Sequence, residues 1–458
     1  MVSGVTISDL ILAPIYLFII FMIAKRIVAN RIEAEPCYKY FIPGLFAKMF
    51  GGIGVCLIYM YWYGGGDTIA YFHDVKVMAE LLYTDPASLF YFTTQESFSW
   101  IDWSLITLNL GDYPIYSRDE HAWFVVRCSW FFALPAFSSF LATVILLNII
   151  TFIPVWKLYK VFIREFPNLQ REFAITVFFI PSVAFWGSGL LKDNITFSAV
   201  CLYSHAFYSI LILKRGYLIH ILQIYFSYYI LTSIKPYIFF ALLPGSILWM
   251  ASIGLNKFDN RLVRNVTAPA LLVLAGLAGY FVLSQMGDKL GGLNVDTVLE
   301  KAVATQQDLK MDYYGGNSFD IGDFEATPTS MLSKAHLAIS AALFRPFLWE
   351  ARNPVMLISA VENSILLIFS IYILFKVRVI YILRLMMRHH LLLFSLAFSL
   401  FFSFGVGLST SNFGSMVRYK IPAMPFFLAS LIIAREIILK EKAAKEDKPQ
   451  PEYNPALT

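Results

Sequence analysis

The chain has 458 residues, of which 58% are hydrophobic, 17% aromatic and only 15% charged. A soluble globular domain carries about 25% charged residues, so an ordinary soluble protein is excluded. The net charge of +5 does not point to nucleic acid, because Lys and Arg sit mostly in short connections between apolar runs, where they set orientation in a membrane.

Several apolar runs exceed the roughly 18 residues needed to cross hydrocarbon, which predicts an all-α, polytopic transmembrane helix bundle. About eleven spans are expected, near 7–24, 42–63, 131–153, 173–188, 195–213, 217–234, 237–254, 267–286, 355–376, 390–408 and 421–438. The first resembles a signal anchor but lacks a convincing cleavage site, so it counts as a span. Cys37, Cys56, Cys128 and Cys201 are scattered, with neither metal-ligand spacing nor a disulfide framework.

Every second connection is short and basic. The one after the first span carries Lys25, Arg26, Arg31 and Lys39, and the one after the third carries Lys157, Lys160, Arg164 and Arg171. Such connections belong in the cytoplasm, which places the N-terminus outside and the C-terminus inside. Residues 64–130 and 287–345 then form two long outer loops of a transmembrane domain covering 1–440. In the first loop Phe72, Val75, Met78, Ala79 and Leu82 recur at helical spacing. The Lys-, Glu- and Pro-rich tail, 441–458, is expected to be disordered.

The second span runs into Trp62-Tyr63-Gly64-Gly65-Gly66-Asp67-Thr68-Ile69-Ala70-Tyr71. Glycines allow a sharp turn and close approach of a ligand, and a carboxylate at the edge of low dielectric is readily tuned toward proton transfer or cation binding. The plainer reading is a helix-ending glycine run before a solvated Asp67. Lys192 and Asp193 follow a Gly187-Ser188-Gly189 turn, either as a snorkelling lysine beside a helix cap or as a phosphate ligand beside a positioning acid.

Lys235 interrupts a long apolar stretch as a hairpin hinge or as a second cation on the same face. Arg345, between aromatics and Pro346, is placed to stack, to pair with Glu350 or to grip a phosphate. Glu362, two turns inside its span, and His205 read as packing residues paired with neighbouring helices. In the last outer turn, Asn412 to Lys420, Arg418 and Lys420 lie outside against the positive-inside trend, as anchors to phospholipid or as ligands of an anion.

One acid and several cations gathered at one membrane face fit a substrate that is lipid-anchored, phosphorylated and polar at its head. A span ending in Gly-Gly-Asp-x-x-x-Tyr (Gly65 to Tyr71) before a long outer loop with interfacial helices resembles the membrane-embedded GT-C-type glycosyltransferases. The Pro181-Ser182…Trp186…Gly189…Lys192-Asp193 and Asn412-Phe413-Gly414…Arg418-Tyr419-Lys420 turns are similar to motifs of bacterial envelope polysaccharide proteins. The acid here follows the second span rather than the first, and no second acid stands beside it.

The resemblance implies an inverting transfer from a polyprenyl-phosphate sugar to a saccharide, lipid or protein acceptor, at the outer face of a bacterial inner membrane. Asp67 is then the general base. Tyr71, Lys192, Asp193, Lys235, Arg345, Asn412, Arg418 and Lys420 are the candidates for substrate binding. No cofactor is demanded, although Asp67 and Asp193 are the two acids that a divalent cation would use. An O-antigen polymerase or ligase uses similar parts. A flippase of lipid-linked saccharides predicts instead charges deep within several spans and related halves of the chain.

Overall fold

The computed structural model describes residues 4–106, 112–255, 295–308, 318–376, 385–386 and 389–446. Among these the regular structure is helical, with one isolated antiparallel bridge, Ser318 to Asn412. The first helix, α1 (Ile7–Ala29), starts at a capping box in which the Thr6 side chain and Asp9 satisfy each other's backbone N–H groups. The other oxygen of Asp9 accepts from Ser139 Oγ at 2.6 Å and from Leu141 N at 3.0 Å. One carboxylate thus caps two helices and fastens α1 to a neighbour.

A 3₁₀ turn at Pro36–Tyr40 leads into α2 (Phe41–Tyr61), followed by the first expected outer loop. That loop is mostly helical: α3 (Asp67–Thr84), α4 (Pro86–Thr94), α5 (Trp100–Ile106) and α6 (Glu120–Ser129). Phe72, Val75, Met78 and Ala79 of α3 are buried, as the 3.6-residue spacing predicts. Their partners include Phe140, whose ring stacks on Phe72 at 4.6 Å.

The third expected span is displaced. Residues 130–139 form a 3₁₀ turn and a loop, and α7 (Phe140–Glu165) begins where the Ser139 side chain accepts from Ala142 N. Lys157, Lys160 and Arg164 therefore lie on its last turns, not in a connection. The fourth expected span is not one helix. It divides into α8 (Gln170–Ala174), a π-helical turn (Ile175–Phe179) and α9 (Pro181–Trp186). Pro181 has no N–H to continue the ladder, and the Glu362 carboxylate accepts from Ser182 N at 2.7 Å and Ser182 Oγ at 2.6 Å instead.

The following spans are α10 (Lys192–Tyr208, extended by a π turn), α11 (Tyr217–Ile234) and α12 (Pro236–Leu255). The span expected at 267–286 lies outside the described residues. In the second long loop come α13 (Val295–Asp308), α14 (Pro328–Ser333) and α15 (Ala335–Phe344). They are followed by α16 (Pro354–Lys376) and α17 (His390–Ser409). The last expected span, 421–438, corresponds to α19 (Met424–Glu446), and the expected outer turn before it contains a short helix, α18 (Phe413–Tyr419), that meets α19 at a 64° bend. Six residues assigned to a disordered tail, 441–446, continue α19.

Eight helices among the described residues are long and apolar enough to cross a membrane, or nine with the bent pair. The innermost are α10 and α17, while α1 and α11 turn most of their side chains outward to lipid. Where two backbones must touch, small residues allow it. A Cβ on Gly51 of α2 would stand 1.8 Å from the Ala184 carbonyl oxygen of α9.

Candidate functional site

At the end of α2 the chain reverses through Gly64, Gly65 and Gly66, whose φ angles are +66°, +156° and +115°. Side-chain-bearing residues rarely adopt that region, which is why a glycine run stands here. The turn delivers Asp67 to the first turn of α3, where unpaired N–H groups favour a carboxylate. Asp67 Oδ2 lies 2.9 Å from Arg418 Nη1, and Oδ1 accepts from the Tyr116 hydroxyl at 3.1 Å.

Tyr116 is itself held from two sides. Asp74, seven residues beyond Asp67 on α3, accepts from Ile115 N at 2.7 Å and Tyr116 N at 2.8 Å. The Tyr116 ring stacks on Tyr71 at 4.5 Å. Burial, reinforced by the Asp67 charge, raises both phenols well above the ordinary tyrosine range, so they remain hydrogen-bond donors. Tyr71 is buried and positions Tyr116 instead of facing the cavity.

Arg418 also reaches inward. Its Nε donates to Asp193 Oδ2 at 3.2 Å, and Nη1 donates to the Tyr59 hydroxyl at 3.2 Å. Asp193, only 1% exposed, receives a second cation, since Lys235 Nζ donates to its other oxygen. Burial works against the Lys235 ammonium, but the Asp193 carboxylate outweighs it and holds Lys235 above the ordinary lysine range. Lys235 also lies 4.2 Å from the centre of the Tyr419 ring. The result is an alternating chain, Asp67–Arg418–Asp193–Lys235, that joins α3, α18, α10 and the α11–α12 turn.

The other expected site residues go elsewhere. Lys192 pairs with Asp119 at 3.2 Å, and Asp119 also caps α6 through His121 N and Ala122 N. Arg345 is gripped by both oxygens of Glu350 and stacks 4.6 Å from the Phe319 ring centre, so its guanidinium is committed to structure and does not reach the cavity. Lys420 is buried and donates to Asn363 Oδ1, within α16. Asn412 does line the cavity, but its carbonyl is occupied as the cap of α18, accepting from Gly414 N and Ser415 N.

The cavity, of about 370 Å³, opens beside Asp67 and Arg418. Its walls include Tyr59, Tyr63, Trp186 and the first turn of α16, with Met356 and Ser359. Further along α16 lies an apolar groove of about 540 Å³, between Ile175–Pro181 on one side and Met424 and Leu428 on the other. Its α16 wall runs from Leu357 to Phe369.

Residues that sequence reasoning did not single out support this turn from below. Lys48, buried within α2, donates to the Gly187 carbonyl at 2.6 Å and to Asn194 Oδ1 at 2.8 Å. Asn194 donates to Asn148 Oδ1 and to the Gly189 carbonyl, and Asn148 donates to the Ser188 carbonyl. This amide cluster fixes the 187–189 turn that presents Lys192 and Asp193. Its signal in the sequence is a lone lysine in the apolar run 41–61 and an asparagine inside the next span.

A divalent cation does not fit the two acids first considered. The Arg418 guanidinium already lies between Asp67 and Asp193, and among the described residues no three His, Cys, Asp or Glu side chains gather as a metal set.

The class that fold and composition define is a polytopic helical membrane protein. No protein-family model, curated protein or solved structure matches the chain.

Proposed function

We propose that the chain is a glycosyltransferase that uses a polyprenyl-phosphate-linked sugar at the end of the bundle marked by Asp67. The observation that carries this reading is the pairing of a 44% exposed carboxylate, Asp67, with Arg418 at the mouth of a sugar-sized cavity, one wall of which is α16, the helix that also lines an apolar groove. Phosphate would meet Arg418, the sugar would fill the cavity between Tyr63, Trp186 and Asn412, and the prenyl chain would follow α16.

In the reaction the acceptor hydroxyl oxygen forms a bond to the anomeric carbon while the bond from that carbon to the phosphate oxygen breaks. The phosphate leaves with the electron pair. Asp67 takes the hydroxyl proton, a role worth roughly 10²–10⁴-fold in rate. Arg418 faces the charge growing on the phosphate. Donor phosphate and Asp67 compete for the same Nη1, so donor binding draws the guanidinium away and frees the carboxylate to accept a proton.

The reading places this end of the bundle on the outer side of a bacterial inner membrane, with the C-terminus in the cytoplasm. It is supported by the concentration of Lys157, Lys160, Arg164 and Arg215 at the opposite end. An envelope polysaccharide polymerase or ligase differs only in acceptor.

The test is reconstitution of the full chain in liposomes with a radiolabelled polyprenyl-phosphate sugar and a bacterial envelope glycan acceptor. Label appearing in the acceptor is expected. Transfer from a soluble nucleotide sugar but not from the lipid-linked donor would contradict the reading.

A further inference from the structure

A further cavity lies far from Asp67, at the other ends of α2, α7 and α10. It measures about 770 Å³ and is bounded by the 3₁₀ turn before α2, the last turns of α7 and the start of α11. Asp67 follows the C-terminal end of α2 and this cavity begins at its N-terminal end. A helix of 21 residues, at about 1.5 Å per residue, separates the two by roughly 30 Å.

Its charge is one-sided. Lys157, Lys160, Arg164 and Arg215 line it, with His205 and His220, against the single carboxylate of Glu35. Glu35 is already paired with Lys160, at 2.5 Å. The nearby Glu165 carboxylate accepts from the Tyr208 hydroxyl. Lys157, Arg164 and Arg215 have no carboxylate partner among the described residues. Basic residues at one membrane face are expected from topology alone, but topology does not require them to converge on one cavity.

A second cavity of about 450 Å³ adjoins the first through Tyr38, Ile153 and Trp156 and continues along Ile27 and Phe41, with Asn30 and Arg31 at its polar edge, Arg31 lying 3.9 Å from Glu35. On α7, Ile150 and Ile153 are 53% and 48% exposed, so this annex opens on the lipid-facing side.

We infer that this pair of cavities is a binding site for a phosphate-bearing ligand, distinct from the Asp67 site and independent of the reaction proposed there. The phosphate is held by Lys157, Arg164 and Arg215 through charge-assisted hydrogen bonds. A lipid headgroup places its acyl chains in the annex beside Ile153. A soluble phosphate uses the basic cavity alone.

Native mass spectrometry of the purified full chain, incubated with equal amounts of phosphatidylglycerol and phosphatidylcholine of the same chain length, reads the site directly. Wild type is expected to retain phosphatidylglycerol at least tenfold over phosphatidylcholine. The triple variant Lys157→Gln, Arg164→Gln, Arg215→Gln is expected to lose that preference. A control with Lys25→Gln, Arg26→Gln and Lys39→Gln removes as much charge from the same end but outside the cavity, and is expected to keep it. If the triple variant does not fold, Arg164→Gln and Arg215→Gln singly each lower the preference several-fold.

Thermal stabilisation of the detergent-purified protein by millimolar inorganic phosphate, lost in the cavity variants and without any lipid preference, assigns the site to a soluble phosphate. An equal loss in the control, or no effect of the cavity variants on either probe, overturns the proposal.

Discussion

The Arg418 guanidinium stands 2.9 Å from the Asp67 carboxylate while its Nε donates to Asp193, a carboxylate buried among the spans. One arginine therefore connects an exposed acid facing the cavity to a buried acid that holds helices together. Substitutions around it should separate structural from chemical consequences.

Arg418→Gln should lower both stability and donor use. Asp193 would keep Lys235 but lose one of two cations, and removing a partner from a buried ion pair costs about 3 kcal/mol. Arg418→Lys keeps the charge but cannot reach Asp67, Asp193 and Tyr59 at once, so it should recover part of the stability and less of the donor affinity. Thermal unfolding and the KM for lipid-linked donor, measured on both variants, check this. An Arg418→Gln protein with wild-type stability would contradict the geometry.

Tyr116→Phe removes one hydrogen bond to Asp67 and keeps the ring that stacks on Tyr71. Loss of such a bond costs roughly 1 kcal/mol. Turnover should fall several-fold with little change in melting temperature, whereas Asp74→Ala, which frees the Ile115 and Tyr116 backbone, should lower both.

Asp119 has a defined pH signature. Burial pushes its carboxyl up, but Lys192 and the α6 N–H groups together hold it below the usual aspartate value. Its folded pKa is depressed, so its contribution is complete above the unfolded value, about 4, and is lost as pH falls through the folded value. Asp119→Ala should cost about 1 kcal/mol near neutrality through the lost cap. Below pH 4 its stability should converge on that of wild type, which acid-titrated thermal melts would reveal.

Gly51→Ala tests the packing of α2 on α9. The new Cβ would stand 1.8 Å from the Ala184 carbonyl oxygen, so one backbone must shift. Overpacking of this kind costs about 1–3 kcal/mol. A protease-resistance assay in detergent should show an earlier loss of the folded state.

The sequence made some of this legible and hid the rest for physical reasons. Spans 217–234 and 390–408 were readable because each is one uninterrupted apolar run, and the observed helices match them within about a residue or two. The run 173–188 looked alike by hydropathy, which does not register a π turn or the missing N–H of Pro181. That Asp67, Asp193, Lys235 and Arg418 lie at one end followed from the alternation of loops, but their pairing did not. For Arg345 the sequence leaves stacking, pairing with Glu350 and phosphate binding all open, and the fold takes the first two; for Lys192 the partner, Asp119, lies 73 residues away and leaves no local signal. Folding neutralises Lys192 with the acid that caps α6 and Arg345 with an acid of its own loop. Tyr116 carries no signal in sequence, since its position depends on Asp74 turning 42 residues of chain back onto α3.

The most direct measurement of the central claim is transfer by Asp67→Asn. The amide keeps the size of the side chain and can still accept from Tyr116, and Asn and Asp serve comparably at a helix start. It cannot take a proton from the acceptor. Turnover from a polyprenyl-phosphate donor should fall by roughly 10²–10⁴-fold while expression and thermal stability stay close to wild type. Near-normal transfer by Asp67→Asn would show that Asp67 is a helix-terminal ion-pair partner and not the base.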